Sequence, residues 1–242
     1  MTQIPAIDLF HSMIAAANAD ETATVKLAIA PAEVTSLKMV DHFHPWSITP
    51  GEFDYFRDFI VTHNLTRGYE CATAFGVSAL AAGLGMKATG GKLITLDAYI
   101  EEKYNEAGAY RNLGKEINQD DPDGLKCLYW MMDRFDLNDV IIPVTGWSPD
   151  NVAEAITDNF GSDTVDYAFI DAGHWDSAML ADALALRPFI DTTKPFGVFF
   201  HDLGCFSGGV WQQIHEAYGF PMQPITTIRE TWRSGIVTNT VI

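Results

Sequence analysis

The chain has 242 residues, 48% of them apolar, and a net charge of −17. One large α/β domain with a sizeable buried core is expected, and wholesale disorder is excluded. The acidic balance argues against nucleic acid and anionic membrane as partners, because phosphate surfaces select basic proteins.

The three cysteines, Cys71, Cys127 and Cys205, are odd in number and form no C-x-x-C pair. Free thiols in a reducing compartment are expected, rather than a disulfide framework or a structural zinc site. The opening "MTQIPAIDLFHSMIAAANADET" has no basic start and carries Asp8 early, so it does not read as a signal peptide. No apolar run reaches membrane-spanning length, and a cytoplasmic protein is expected.

Residues 1–46 read as a helical N-terminal extension, with apolar positions at helical spacing in "IDLFHSMIAAA" and "AEVTSLKMV". A domain over 47–242 follows. Its first helix has Thr49 as N-cap, Pro50 as first helical residue and Glu52 in the first turn. The chain then alternates. "RGYECA" is a strand, "GVSALAAGLG" a helix stopped by glycines, and "KLITLD" a strand. A polar stretch from Glu101 to Gly124 is either a functional loop or a partly helical insertion. "LKCLYWMMDRF" is a helix, "VIIPVTG" a strand, "SPDNVAEAITDN" a helix and "DYAFID" a strand. "SAMLADALALRPFI" is a helix, "GVFFHD" a strand and "GGVWQQIHEAYG" a helix. "ITTIRETWRSGIVTNTVI" reads as two β-rich runs separated by "RSG", a terminal hairpin.

The strands are contiguous apolar runs, as expected for a sheet covered on both faces. The alternation predicts a doubly wound, mostly parallel sheet of seven strands with an antiparallel edge hairpin, a Rossmann-like α/β fold. Ligands of such sheets bind outside the carboxyl ends of the strands. Glu70–Cys71, Asp97, Thr145–Gly146, Asp171 and Asp202 lie there. Single acids after strands often cap helices, but four at one edge suggest a site.

A nucleotide-like ligand needs close backbone approach after the first strand and an acid after the second, which is Asp97 here. The pattern G-x-G-x-x-G is absent, and Glu70 at the loop's entrance would repel a pyrophosphate. A carboxylate suits an ammonium group instead. The pair therefore points to a ligand joining a ribose to an amino acid, S-adenosylmethionine.

"ITPGEFDYFRDFIVTHNLTRGYECATAFGVSAL" resembles the opening of small-molecule O-methyltransferases of the catechol and caffeoyl-CoA type, class I S-adenosylmethionine enzymes. Of that family's E-x-G-T-x-x-G-x-S-A-L pattern the chain keeps Glu70, Thr73, Gly76, Ser78, Ala79 and Leu80, with Ala72 at the first glycine. The looser class-wide pattern also wants glycine at Ala74. The resemblance continues through "LITLDAY", "VTGWSPDNV", "DYAFIDAGH" and "GVFFHD". An alanine at positive φ costs about 1 kcal/mol. If the backbone there is ordinary, the alanines cost only room, and restoring glycine would slightly lower stability.

The resemblance implies cofactor contacts at Glu70, Ala72, Gly76, Ser78, Asp97, Gly146 and Trp147, with the last two near adenine. It also implies a divalent cation, usually magnesium, held by Asp171 and Asp202. The family's third ligand, an asparagine, is Leu203 here, which cannot ligate. His201 and His174 would make the site suit a softer transition metal. His174 stands where catechol enzymes place a basic lysine, and is the expected proton acceptor beside Asp171. For His174 the structural alternative is a helix-start histidine bonded to backbone. For His201 it is a buried strand residue, and for Trp147 a core indole. His42, His44, Trp46 and Phe53 are either an acceptor lid or a packed aromatic cluster. Tyr104, Tyr110 and Arg111 could shape the acceptor site.

The expected activity is O-methylation of a small-molecule acceptor. A homodimer paired through the N-terminal helices is open. Two rival readings remain. One is a metal-dependent hydrolase built on Asp171, His174, His201 and Asp202. The other is a non-catalytic binding protein on the same fold.

Overall fold

The computed structural model describes residues 48, 50–74, 76–99, 124–225 and 234–240. The expected N-terminal extension with His42, His44 and Trp46 lies outside them. So do Thr49, the stretch with Tyr104, Tyr110 and Arg111, and most of the first arm of the expected terminal hairpin. Among the described residues the helices are α1 (Pro50–Thr62), α2 (Val77–Thr89), α3 (Gly124–Phe135), α4 (Val152–Phe160), α5 (Asp176–Leu186) and α6 (Gly208–Tyr218). The strands are β1 (Arg67–Cys71), β2 (Lys92–Asp97), β3 (Ile141–Thr145), β4 (Tyr167–Ile170), β5 (Gly197–Phe200), β6 (Gln223–Pro224) and β7 (Gly235–Thr238).

The strands form one sheet in the order β3-β2-β1-β4-β5-β7-β6. β1 to β5 run parallel, β7 is antiparallel to β5, and β6 is antiparallel to β7. This is the expected doubly wound sheet. The edge differs in one respect: β7 pairs with Gln223–Pro224, which precedes the run read as the hairpin's first arm.

Side chains of each strand alternate between two apolar layers, as the period of two requires. Leu93, Tyr167, Phe169 and Phe199 pack under α1, α2 and α3. Tyr69, Ile94, Leu96, Ala168, Ile170, Val198 and Phe200 pack under α4, α5 and α6. Phe53 is fully buried in the first layer. The helix read as stopped by glycines instead runs through Gly83 and Gly85 to a left-handed Gly90. A Cβ on Gly83 would meet Ile141 Cδ1 at 2.7 Å, and one on Gly85 would meet Ile60 Cβ at 2.9 Å. These glycines let α2 lie against β3 and α1; they do not end it.

Strand order reverses at β1, which lies between β2 and β4, so the connections leaving β1 and β4 run to opposite faces. That divergence opens a crevice at the carboxyl edge. Glu70, Asp97, Asp171 and Asp202 lie at the carboxyl ends of β1, β2, β4 and β5. Among the described residues no helix is long and apolar enough to cross a membrane.

Candidate functional site

The first half of the site is the turn from β1 into α2. Ala72, Ala74 and Gly76 all take positive φ, at 69°, 46° and 79°. The alanines therefore occupy the left-handed conformation that glycine adopts without strain. The turn is held by its own hydrogen bonds. Ala72 N–H donates to Leu96 O at 2.9 Å, Gly76 N–H to Thr73 O at 2.7 Å, and Ala74 N–H to Asp97 Oδ2 at 3.0 Å. A Cβ on Gly76 would meet Met131 Cε at 2.7 Å and Leu128 Cδ1 at 3.0 Å, so α3 packs closely against the turn.

Glu70 is 1% exposed. Thr95 Oγ1 donates to its Oε2, and Ser78 lies beside it. Its Oε1 is buried and makes no hydrogen bond among the described residues. Burial pushes the Glu70 carboxyl up to about 8, helped by the nearby Asp97 and Asp171 and opposed by the Ser78 and Thr95 hydroxyls. The group thus holds a proton near neutral pH. Ionisation awaits a cation beside it, which is more specific than the sequence expectation of a standing negative charge.

Asp97 sits at the end of β2, where expected, and also supports the turn. Besides Ala74 N–H it accepts Tyr99 N–H on Oδ1 at 2.7 Å. Each carboxylate oxygen keeps a further lone pair for a ligand hydroxyl. Tyr99, not singled out in the sequence, takes φ 48° and brings its hydroxyl to 3.3 Å from Thr73 Oγ1. Thr73 Oγ1 lies 2.6 Å from Thr95 Oγ1, so one polar thread links Tyr99 to Glu70.

After β3, Gly146 N–H donates to Asp97 O at 2.9 Å, and a Cβ there would meet Asn151 Oδ1 at 2.9 Å. Trp147 is 58% exposed, which disposes of the core alternative and leaves its indole at the crevice edge.

The second half stands at the ends of the neighbouring strands β4 and β5. His174 Nε2 lies 3.2 Å from Asp171 Oδ1 and 3.4 Å from Asp202 Oδ2. Donor atoms of Asp171, His174 and Asp202 all lie within 4.8 Å of one another. His201 is not in this group. It is buried beneath the two acids, with Nδ1 3.3 Å from Asp171 Oδ1 and 3.5 Å from Asp202 Oδ1. Its Nε2 faces Glu52 Oε1 at 3.6 Å. None of these three contacts has hydrogen-bond geometry. His174, not the expected His201, joins the close donor group of the two aspartates, because strand alternation turns His201 inward beside Phe169 and Phe199. Leu203 packs into the second apolar layer and offers no donor, as expected.

The charges are mutually dependent. Burial opposes ionisation of Asp171, but the imidazoles of His201 and His174 outweigh it and hold the carboxyl below the usual range. Burial likewise opposes charging His201, yet Asp171 and Glu52 raise it well above an ordinary histidine. The hydrogen bond to Asp171 raises His174 in the same direction. Glu52, expected only to favour the first turn of α1, is fully buried and accepts a hydrogen bond from Ser234 Oγ. Three elements, α1, β5 and the start of β7, thus meet under the two aspartates.

The sequence profile of a family described as a methyltransferase domain matches residues 69–203, which contain Glu70, Asp97, Asp171, His174, His201 and Asp202. No curated protein sequence matches the chain. Among solved structures, an O-methyltransferase from Bacillus cereus in complex with SAH superposes with a TM-score of 0.54 at 15% identity, covering 85% of this chain and 88% of that one. The O-methyltransferase TomG from Streptomyces achromogenes, in complex with SAM, gives 0.52 at 11% identity over 99% of this chain and 100% of its own. An SAH-bound methyltransferase from Podospora anserina gives 0.50 at 10% identity over 80% of each chain.

Proposed function

The chain belongs to this methyltransferase-domain family, and from that premise we propose that it transfers a methyl group from S-adenosylmethionine to an oxygen of a small acceptor. One observation carries the reading. The left-handed turn with Glu70 and Asp97 and the Asp171–His174–Asp202 group leave adjacent strands, where Cys71 pairs with Ile170, on either side of the strand-order reversal. A cofactor on the first and an acceptor on the second would face each other across the crevice. The hydrolase alternative leaves Glu70, Asp97 and the turn without a task, and family membership replaces it.

The residues fit the cofactor. The unpaired, buried Glu70 Oε1 suits its ammonium group, and the remaining lone pairs of Asp97 suit ribose hydroxyls. Ala72, Gly76 and Ser78 line the turn, and Gly146 with the exposed Trp147 offers a face for adenine. Once bound, S-adenosylmethionine supplies an electrophilic sulfonium methyl. The chain's main contribution is in-line positioning. The Asp171–His174–Asp202 group orients the acceptor hydroxyl, and with no ion bound to it His174 receives the proton.

The divalent cation implied by the resemblance also fits, since the donor atoms of Asp171, His174 and Asp202 converge. Asp171 and Asp202 would hold it, and it would supply Lewis-acid polarisation of the acceptor oxygen.

Calorimetry with S-adenosylhomocysteine tests the cofactor half. Asp97→Ala removes an acceptor of charge-assisted hydrogen bonds that contribute about 1.5–3 kcal/mol, so affinity should fall about 10- to 100-fold. Undiminished affinity in the variant, or no binding to the wild type, would sink the assignment. Methyl transfer from labelled S-adenosylmethionine to a panel of hydroxylated small molecules tests the acceptor half.

A further inference from the structure

We propose that Asp171, His174 and Asp202 form a three-donor cation site, two carboxylates and one imidazole, that selects a borderline divalent ion such as manganese or cobalt over magnesium. The role of such an ion rests on the methyltransferase reading; its binding rests on the three side chains alone.

Two of the three spacings are those of ligands around a small cation, and all three donor atoms lie within 4.8 Å of one another. Donors about 2.1 Å from a metal are about 3.0 Å apart at a right angle and about 3.4 Å apart at the tetrahedral angle. His174 Nε2 stands 3.2 Å from Asp171 Oδ1 and 3.4 Å from Asp202 Oδ2.

The acids are held from behind. His201, 1% exposed, aims its Nδ1 at the Oδ1 atoms of both aspartates without completing a hydrogen bond to either. It lies behind both carboxylates and stays out of the ligand set. The third donor arrives from the solvent side. Gly173 shapes the turn that brings His174 back over Asp171, since a Cβ there would meet Ala178 Cβ at 2.5 Å. The His174 side chain is 50% exposed, which leaves a route for an ion to enter. Leu203, where the resemblance expects an amide ligand, is packed into the core. The connection after β4, not the one after β5, therefore completes the site.

That exchange changes the preferred ion. An amide oxygen suits magnesium, a hard cation that keeps oxygen ligands and water. An imidazole nitrogen favours first-row transition ions, whose affinities rise along the Irving–Williams order.

The test is titration of the full chain with manganese, cobalt and magnesium in the absence of cofactor and acceptor, by calorimetry and by cobalt d–d absorption. Wild type should bind cobalt and manganese at least about tenfold more tightly than magnesium. His174→Ala should weaken cobalt and manganese about 10- to 100-fold, shift the cobalt spectrum, and leave magnesium within about threefold. Leu203→Asn should raise magnesium affinity in the wild-type background. Unchanged cobalt affinity and spectrum in a folded His174→Ala variant, or a wild type that prefers magnesium or binds no cation, would overturn the proposal. S-adenosylhomocysteine affinity measured alongside separates the two readings: a chain that takes cobalt but not this ligand keeps the site and loses the methyltransferase function.

Discussion

Ala72 and Ala74 hold φ at 69° and 46°, and both are tied down, Ala72 to Leu96 O and Ala74 to Asp97. Their strain is local and can be relieved. Glycine at position 72 would remove about 1–2 kcal/mol of left-handed cost. It would lose about 0.4–1 kcal/mol through the freer unfolded chain. The net gain of about 0.5–1 kcal/mol corresponds to a melting temperature about 1–4 °C higher for a protein of this size. The sequence alone suggested the reverse, because a helix or strand backbone would have made alanine the better residue. Thermal melts of Ala72→Gly decide, and a lower midpoint would show that the left-handed turn is not strained as described.

At the scale of elements, α2 shows where sequence reasoning fails. Gly83 and Gly85 looked like stop signals, but a helix interior tolerates glycine where a neighbour comes close. In open space Gly85→Ala would stabilise the helix by about 1 kcal/mol. Here the new methyl would meet Ile60 Cβ at 2.9 Å and Arg57 O at 3.0 Å. Overpacking of that kind costs about 1–3 kcal/mol, so the denaturation midpoint should fall. A rise would mean that α1 and α2 can separate freely. The strands were easier to read. "KLITLD" is β2 residue for residue, because a strand buried on both faces shows as one apolar run. Asp97, Asp171 and Asp202 were legible for the same reason, since each ends or follows such a run, whereas Glu70 lies within the mixed run of β1. The inward turn of His201 was also recoverable: Phe199 and His201 are two apart and share a face. Glu52 was missed although Phe56, Phe59 and Ile60 place it on the buried stripe of α1, because its first-turn position already explained it. The left-handed turn at Ala72 and Ala74 left no signal, since the residues that would announce it are the glycines these alanines replace.

The molecule as a whole is strongly acidic, with a net charge of −17, and Asp97, Asp171 and Asp202 stand at the carboxyl edge of the sheet. A body charged in this way draws cations toward it. S-adenosylmethionine carries one more positive charge than its demethylated product, so the substrate should be drawn in faster than the spent cofactor. The attraction reaches only about 10 Å at 0.1 M salt and shrinks to about 3 Å at 1 M. Stopped-flow quenching of the exposed Trp147 should therefore show the association rate of S-adenosylmethionine falling several-fold as salt rises, with that of S-adenosylhomocysteine nearly flat. Parallel salt dependence for the two would remove the advantage. If the rates diverge as expected, the surplus of acids over bases also acts as a kinetic filter, favouring fresh methyl donor over used donor before either touches the turn at Ala72.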